Sequence, residues 1–262
     1  MAFLQITDLH FVPPGKELFG LDPALRLEPA IDLINREHRD ASFLLITGDL
    51  TNGGEEAAYR ALAEVLHRCE IPVHLMLGNH DSRSPFRTVF DAPSQPDEFV
   101  QFVVHDGQTP VICLDTLIDE PDRSDGALCD ARLGWLLDRI SDLPGGRPWV
   151  LALHHPPMPL GMPNMDRIGL NEGEALHNVL ATHPPAMMLI GHVHRPIHGV
   201  WRGIPFHIQR AVSHQVAYRP AATPTLVFQD EPPEFSIISI GKDGPVIHTR
   251  GYLSEGPAFP KS

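Results

Sequence analysis

Long apolar runs are missing from this chain. No stretch is long enough to cross a bilayer as a helix, which excludes a transmembrane segment of that kind. Cysteine is scarce and ill-spaced: Cys69, Cys113 and Cys129 are odd in number and form no C-x-x-C pair, so they cannot all pair within one chain. Cys113 lies in the apolar run 111–114 and reads as a buried reduced thiol, which fits a reducing cytoplasm. Basic residues are few. Against 33 Asp and Glu stand 20 Lys and Arg, a formal net charge of −13, which argues against a nucleic-acid polymer or an anionic membrane as partner. A small anionic substrate stays compatible where bound cations set the local potential. There is no internal repeat and no low-complexity tract, and the first apolar run (3–7) starts so early that no cleavable leader is expected. What is present is ordinary globular composition, 42% hydrophobic and 20% charged over 262 residues, enough for one large core and a single domain spanning 1–262.

Against that background, polar residues able to bind a metal recur at regular places. Asp8-Leu9-His10, Gly48-Asp49, Gly78-Asn79-His80-Asp81, His154-His155-Pro156-Pro157 and Gly191-His192-Val193-His194 each follow a short apolar run, at 3–7, 43–47, 73–77, 149–153 and 186–190. Such runs, separated by helical patterns, read as strands of an α/β sheet buried on both faces. Ligand sites in these sheets gather beyond the carboxyl ends of the strands, so residues distant in sequence should meet along one edge. Gly48, Gly78 and Gly191 are expected to permit the sharp backbone exits that aim the side chains.

Asp22-Pro23 offers an N-cap followed by proline at the first helical position, and Leu27, Ala30, Ile31 and Ile34 recur at helical spacing. Further helices are expected over 55–68, on Leu133, Leu136, Leu137 and Ile140, and on Leu176, Val179 and Leu180. After His194 the pattern changes to short strands at 197–201, 205–209, 225–229, 235–240 and 245–249, the last two joined by a hairpin signal at 241–244. Prolines cluster at 156–163 and 220–233, read as ordered loops.

The order of these motifs resembles the calcineurin-like metallophosphoesterase superfamily, whose pattern runs D-x-H, G-D, G-N-H-D/E, H-x-P and G-H-x-H, from Asp8 to His194 here with no element missing. The resemblance implies a four-layer αββα sandwich of two mixed sheets flanked by helices, and a binuclear metal centre. In it Asp49 bridges two ions; Asp8, His10 and His194 complete one set, and Asn79, His154 and His192 the other. In the H-x-P motif the family's ligand is the first histidine, so His154 is assigned, with His155 behind it or exchanging places with it. His80 is expected to contact phosphate or leaving group, with Asp81 either orienting that imidazole or capping a turn. Oxygen and imidazole donors without thiolate suit iron, manganese, zinc or cobalt better than copper(I). Two such ions lower the pKa of a shared water, neutralise phosphoryl oxygens and hold an ester for in-line attack, and a protonated His80 stabilises developing charge or protonates the departing oxygen. Nine other histidines, at 38, 67, 74, 105, 177, 183, 198, 207 and 248, match no motif and are read as structural.

Departures narrow the branch. The segment Gly48-Asp49-Leu50-Thr51-Asn52-Gly53-Gly54 lacks the Asp-Arg pair of the serine/threonine phosphatases, and Asn52 stands where purple acid phosphatases place a ligand tyrosine. Residues 16–22, 154–161 with Met165-Asp166, and Ser213-His214-Gln215-Val216 resemble bacterial class III cyclic-nucleotide phosphodiesterases and the related glycerophosphodiesterases. His214, Asn52 and His155 are accordingly expected near the substrate. The implied activity is metal-dependent hydrolysis of small phosphodiesters. A phosphomonoesterase or nucleotide pyrophosphatase on the same site is the alternative, and a non-catalytic scaffold a weaker one, since every ligand position is filled. The late strands (197–262) point to a homo-oligomer with 225–240 as contact region, unless the chain's own C-terminal segment covers that edge.

Overall fold

The computed structural model describes residues 2–90, 99–107, 109–219 and 225–253. The first half alternates strand and helix: β1 (Phe3–Ile6), α1 (Pro23–Glu37), β2 (Leu44–Thr47), α2 (Glu56–Leu66), β3 (Val73–Met76) and α3 (Arg83–Val89). Then come β4 (Phe102–Asp106), β5 (Thr109–Leu114), α4 (Asp130–Ser141), β6 (Val150–Leu153), α5 (Pro163–Asp166), α6 (Gly173–Leu180) and β7 (Met187–Ile190). The remainder is β8 (Ile197–Trp201), β9 (Ile204–Ile208), β10 (Gln215–Val216), β11 (Phe228–Gln229), β12 (Glu234–Gly241) and β13 (Gly244–Gly251).

Two mixed sheets result, ordered β13-β12-β1-β2-β3 and β4-β5-β6-β7-β9-β8, with β10-β11 a separate ribbon. The strands β1, β2 and β3 run parallel, as do β5, β6, β7 and β9. Side-chain alternation stacks the sheets. Val150 and Ala152 of β6 join Phe3, Leu44 and Val111 in one core, while Leu151 and Leu153 point the other way to Leu136, Ile140, Leu176 and Leu180 of α4 and α6. Leu27, Ile31, Leu62 and Leu66 of α1 and α2 pack with the first core. With a period of two, consecutive strand residues serve opposite layers, and the expected four-layer αββα sandwich follows. Asp22 caps α1, its carboxylate accepting from Ala24 N at 2.9 Å.

Local departures from the expectations have physical reasons. Leu137 is 43% exposed, because only Leu136 and Ile140 of α4 face the sheet squarely. The expected strand at 225–229 reduces to Phe228–Gln229, and α3, β4 and the full length of β5 carried no clear periodicity. Within the segment 225–240, β12 presents no open edge, because it lies between β1 and β13 and the chain's own C-terminal strand covers it, whereas β11 pairs with β10 alone. Of the 220–233 proline cluster, residues 220–224 lie outside the described residues. Among the described residues no helix is long and apolar enough to cross a membrane.

Candidate metal centre

Because the parallel strands of both sheets end at one rim, the loops that follow them converge. Asp8 and His10 follow β1, Asp49 follows β2, Asn79 and His80 follow β3, His154 follows β6, and His192 and His194 follow β7. Asp8, His10, Asp49, His192 and His194 all take positive φ, between 48° and 71°. Non-glycine residues avoid this region, and holding them there costs on the order of 1–3 kcal/mol each, a strain that tends to collect at functional sites. Gly48, at φ 101°, supplies a backbone exit as expected. Gly78 does something else: a Cβ there would lie 2.5 Å from Asp49 N and 2.6 Å from His154 Cε1. Its role is close approach of backbone to side chains.

The donors form two neighbouring groups, Asp8-His10-Asp49-His194 and His154-His155-His192. Asp49 faces both, with Oδ2 3.3 Å from His10 Nε2 and Oδ1 3.4 Å from His154 Nε2. Asp8 Oδ1 is 3.4 Å from His194 Nε2 and 4.0 Å from His154 Nε2. The Nε2 atoms of His10 and His194 stand 3.0 Å apart, and the Asn79 amide oxygen lies 2.9 Å from His192 Nδ1. The Nε2 atoms of His154, His155 and His192 are buried and have no hydrogen-bond partner among the described residues. A buried polar atom left so is costly unless something else takes its lone pair. A cation does so, and these oxygen and imidazole donors fit one.

Opposite nitrogens are tied down by carbonyls. His154 Nδ1 donates to Thr47 O at 2.8 Å and His194 Nδ1 to His214 O at 2.7 Å, while His10 Nδ1 is 3.2 Å from Asn52 Oδ1. Such bonds select the tautomer that turns Nε2 toward the centre. Electrostatics agree. Burial alone would raise the Asp8 carboxyl, but the facing His194 and His154 imidazoles outweigh it and hold it below the ordinary range; Asp49 is held well below, mainly against its burial by His154 and His80. Burial lowers His10 to about 4 and takes His192 well below the ordinary value. For His154, burial is overcome by Asp49 and Asp8, which raise it to about 9, and Asp8 likewise raises His194. The carboxylates thus draw positive charge to this spot.

An open cavity lies over the centre, and His10, Asp49, Asn52, Asn79, His80, His192, His194 and His214 line it. The residues expected to surround the ligands divide. His80 Nδ1 donates to Asn52 O at 2.9 Å, and its ring packs edge-on to His10 at 4.7 Å. The expected pairing with Asp81 is not made. Asp81 is buried, and its carboxylate is taken up by Leu50 N, Thr51 N, Gly78 N and the Tyr59 hydroxyl at 2.9–3.0 Å. It is the turn cap, strapping the Asp49 loop to the Asn79 loop. His155 does not reach the cavity: it is fully buried, with Nδ1 2.8 Å from Thr116 Oγ1, behind His192. Asn52 lines the cavity but spends its side-chain oxygen on His10 and its carbonyl on His80. Phe19, Ser124, Ile168, Leu226 and Phe228 also line the cavity. Phe19, like Met165 and Val216 on the same wall, lies in a segment that carried a resemblance; Ser124, Ile168, Leu226 and Phe228 belong to no motif.

Comparisons with known proteins agree with this geometry. Residues 1–196 match the family model for calcineurin-like phosphoesterases. A probable cyclic nucleotide phosphodiesterase of Rhodopseudomonas palustris is 44% identical, over 99% of this chain and 95% of its own length. The 3′,5′-cyclic adenosine monophosphate phosphodiesterase CpdA of Pseudomonas aeruginosa is 32% identical over 74% of this chain and 70% of its own. A probable glycerophosphodiester phosphodiesterase of Arcobacter nitrofigilis is 28% identical over 90% and 88%. The crystal structure of a dimetal phosphatase from Danio rerio superposes with a TM-score of 0.73 at 16% identity, covering 96% of both chains, and shows the shared fold. The motifs, the two packed sheets and the family match lead to one conclusion: this chain belongs to the calcineurin-like phosphoesterase family.

Proposed function

We infer that this chain is a metal-dependent phosphodiesterase acting on small phosphodiesters, cyclic nucleotides or glycerophosphodiesters. One observation carries the reading: two neighbouring groups of buried donors lie at the floor of an open cavity, Asp49 facing His10 of one and His154 of the other, with imidazole nitrogens that have no hydrogen-bond partner among the described residues. The relatives' names supply the substrate class. Asp8, His10, Asp49 and His194 would hold one ion; Asn79, His154 and His192, with Asp49 shared, would hold the other. The donor set suits iron, manganese, zinc or cobalt. When bound, such ions lower the pKa of a water and offset the charge of phosphoryl oxygens.

The chain's own residues do the rest. Thr47, Asn52 and His214 fix the ligand imidazoles through carbonyl oxygens, so little reorganisation is needed when substrate arrives. His80, anchored at Nδ1 by Asn52 O, turns Nε2 toward the substrate and, protonated, hands that proton to the departing oxygen. The cavity draws side chains from loops of both sheets, so the reading takes 1–262 as a single catalytic domain.

A kinetic panel on metal-reconstituted protein tests this: a diester, its matching monoester, 3′,5′-cyclic AMP, glycerophosphoethanolamine and a dinucleoside polyphosphate. Diester kcat/KM should exceed that of the monoester. If the monoester is the better substrate with every metal tested, the chain is a phosphomonoesterase.

A further inference from the structure

Phe19 occupies a backbone position where phenylalanine is out of place. Leu18 and Leu21 exchange backbone hydrogen bonds of 2.9 Å in both directions, and the residues between them, Phe19 and Gly20, have φ of 55° and 76°. A tight turn with two left-handed centres is at ease with Asn-Gly or Gly-Gly. A bulky residue at its first centre is strained, because Cβ crowds the backbone. Burial does not compensate: Phe19 is 58% exposed. The fold gains little from this ring, which directs attention to what the ring touches.

Phe19 stacks on Phe228, with centroids 4.7 Å apart and planes at 26°. Phe228 is itself 41% exposed and comes from β11, where it pairs with Val216 of β10. His214 meets both phenyl rings nearly perpendicularly at 4.9 Å, and on its other side packs on His194 at 4.5 Å and His10 at 5.2 Å. One imidazole therefore separates the phenyl pair from two of the donors assigned to metal. All of these residues line the same cavity, as do Ile168 and Leu226. The cavity has a charged, donor-rich floor and a wall carrying flat aromatic surface.

We propose that Phe19 and Phe228 form a stacking platform for the nucleobase of a nucleotide phosphodiester whose phosphate lies over the Asp8–Asp49 cluster. The proposal rests on the phosphodiesterase reading above and narrows its substrate class to nucleotides. Bases of every kind have a π-face, and stacking on an aromatic side chain contributes substantially to their binding. The nearly parallel phenyl rings offer their faces to one more flat ring, which is the offset-stacked arrangement aromatic groups favour. A glycerol or ethanolamine substituent gains little from such a surface. A quaternary ammonium is held best inside a cage of converging ring faces, and here the perpendicular third ring, His214, is on the side of the metal donors.

The test compares 3′,5′-cyclic AMP with the base-less ribose 3′,5′-cyclic phosphate on metal-reconstituted wild type, Phe19→Asn and Phe228→Ala. Wild type should prefer the nucleotide in kcat/KM by about ten-fold or more, in line with the strength of base–aromatic stacking. Each variant should shrink that preference several-fold, through KM more than kcat, and Phe19→Trp should restore it. Phe19→Asn should meanwhile raise Tm, because asparagine tolerates the left-handed turn. Calorimetric titration with 5′-AMP against ribose 5-phosphate gives the same comparison without turnover. An unchanged preference in both variants, an equal loss on both cyclic phosphates, or a preference for glycerophosphocholine that falls with the rings would overturn the platform. Absence of hydrolysis of every diester would instead remove the phosphodiesterase reading, and the 5′-AMP titration would still decide the platform.

Discussion

Asp81→Asn separates a structural role from a catalytic one. Asp81 Oδ2 accepts from Leu50 N and Gly78 N, and Oδ1 from Thr51 N, the Thr51 hydroxyl and the Tyr59 hydroxyl. An asparagine keeps one oxygen and must turn an NH2 toward the other set. If it faces the Oδ2 set, two backbone N–H groups are orphaned. If it faces the Oδ1 set, the hydroxyls can rotate to accept and only Thr51 N is orphaned. Each orphaned buried donor costs about 1–3 kcal/mol. Losing a negative charge beside Asp49 offsets part of this, since burial and Asp49 push the Asp81 carboxyl up to about 6. A net loss of about 2 kcal/mol is expected, which for a chain of this size lowers Tm by roughly 4–8 °C. Differential scanning calorimetry on the metal-loaded variant measures this. The kinetic signature should be the opposite of His80→Ala, which should slow diesters with poor leaving groups most; Asp81→Asn should slow good and poor leaving groups alike. An unchanged Tm together with a selective loss on poor leaving groups would return Asp81 to orienting His80 and refute the cap.

Other outcomes follow from the same geometry. Elemental analysis should find two ions per chain; Asp49→Ala should lose both with activity, whereas Asn79→Ala should weaken mainly the ion at His154 and His192. Gly78→Ala should impair metal loading more than folding, because the new methyl meets Asp49 and His154, and equal metal content in the variant would contradict that. His207 is buried against Gln209 and Ser236, and burial lowers it to about 4. An unfolded histidine titrates near 6.5, so between about pH 6.5 and 4 the unfolded chain binds a proton that the folded chain does not, and stability is lost as pH falls through that window. The share is up to about 3 kcal/mol. In chelator-treated protein, urea melts at pH 7 and pH 4.5 should show a smaller acid loss for His207→Gln than for wild type; equal losses would show that His207 does not carry this term.

The metal donors were legible in the sequence because each lies within a few residues of the end of a short apolar strand. Parallel strands end at one rim, so Asp8, Asp49, Asn79, His154 and His192 had to share an edge once the strands were recognised. The αββα layering was implied only by the resemblance; in the structure it shows in β6, whose alternating residues belong to two different cores. Tertiary structure alone decided what surrounds the donors. Backbone carbonyls of Thr47 and His214 orient His154 and His194, and a carbonyl has no residue type to recognise; only Asn52, whose side-chain oxygen meets His10, carries a readable one. Asp81 adjoins His80 in sequence, yet its carboxylate turns to Tyr59 and the Asp49 loop, because three backbone N–H groups needed an acceptor there. His155 adjoins His154 and stays beside it in the same donor group, but it is fully buried with Nδ1 against Thr116 and lines no part of the cavity. Phe19 and Phe228 are 209 positions apart in the chain, and nothing local to either predicts that their rings stack; that contact exists because the 18–21 turn and the β10–β11 ribbon both fold over the same rim.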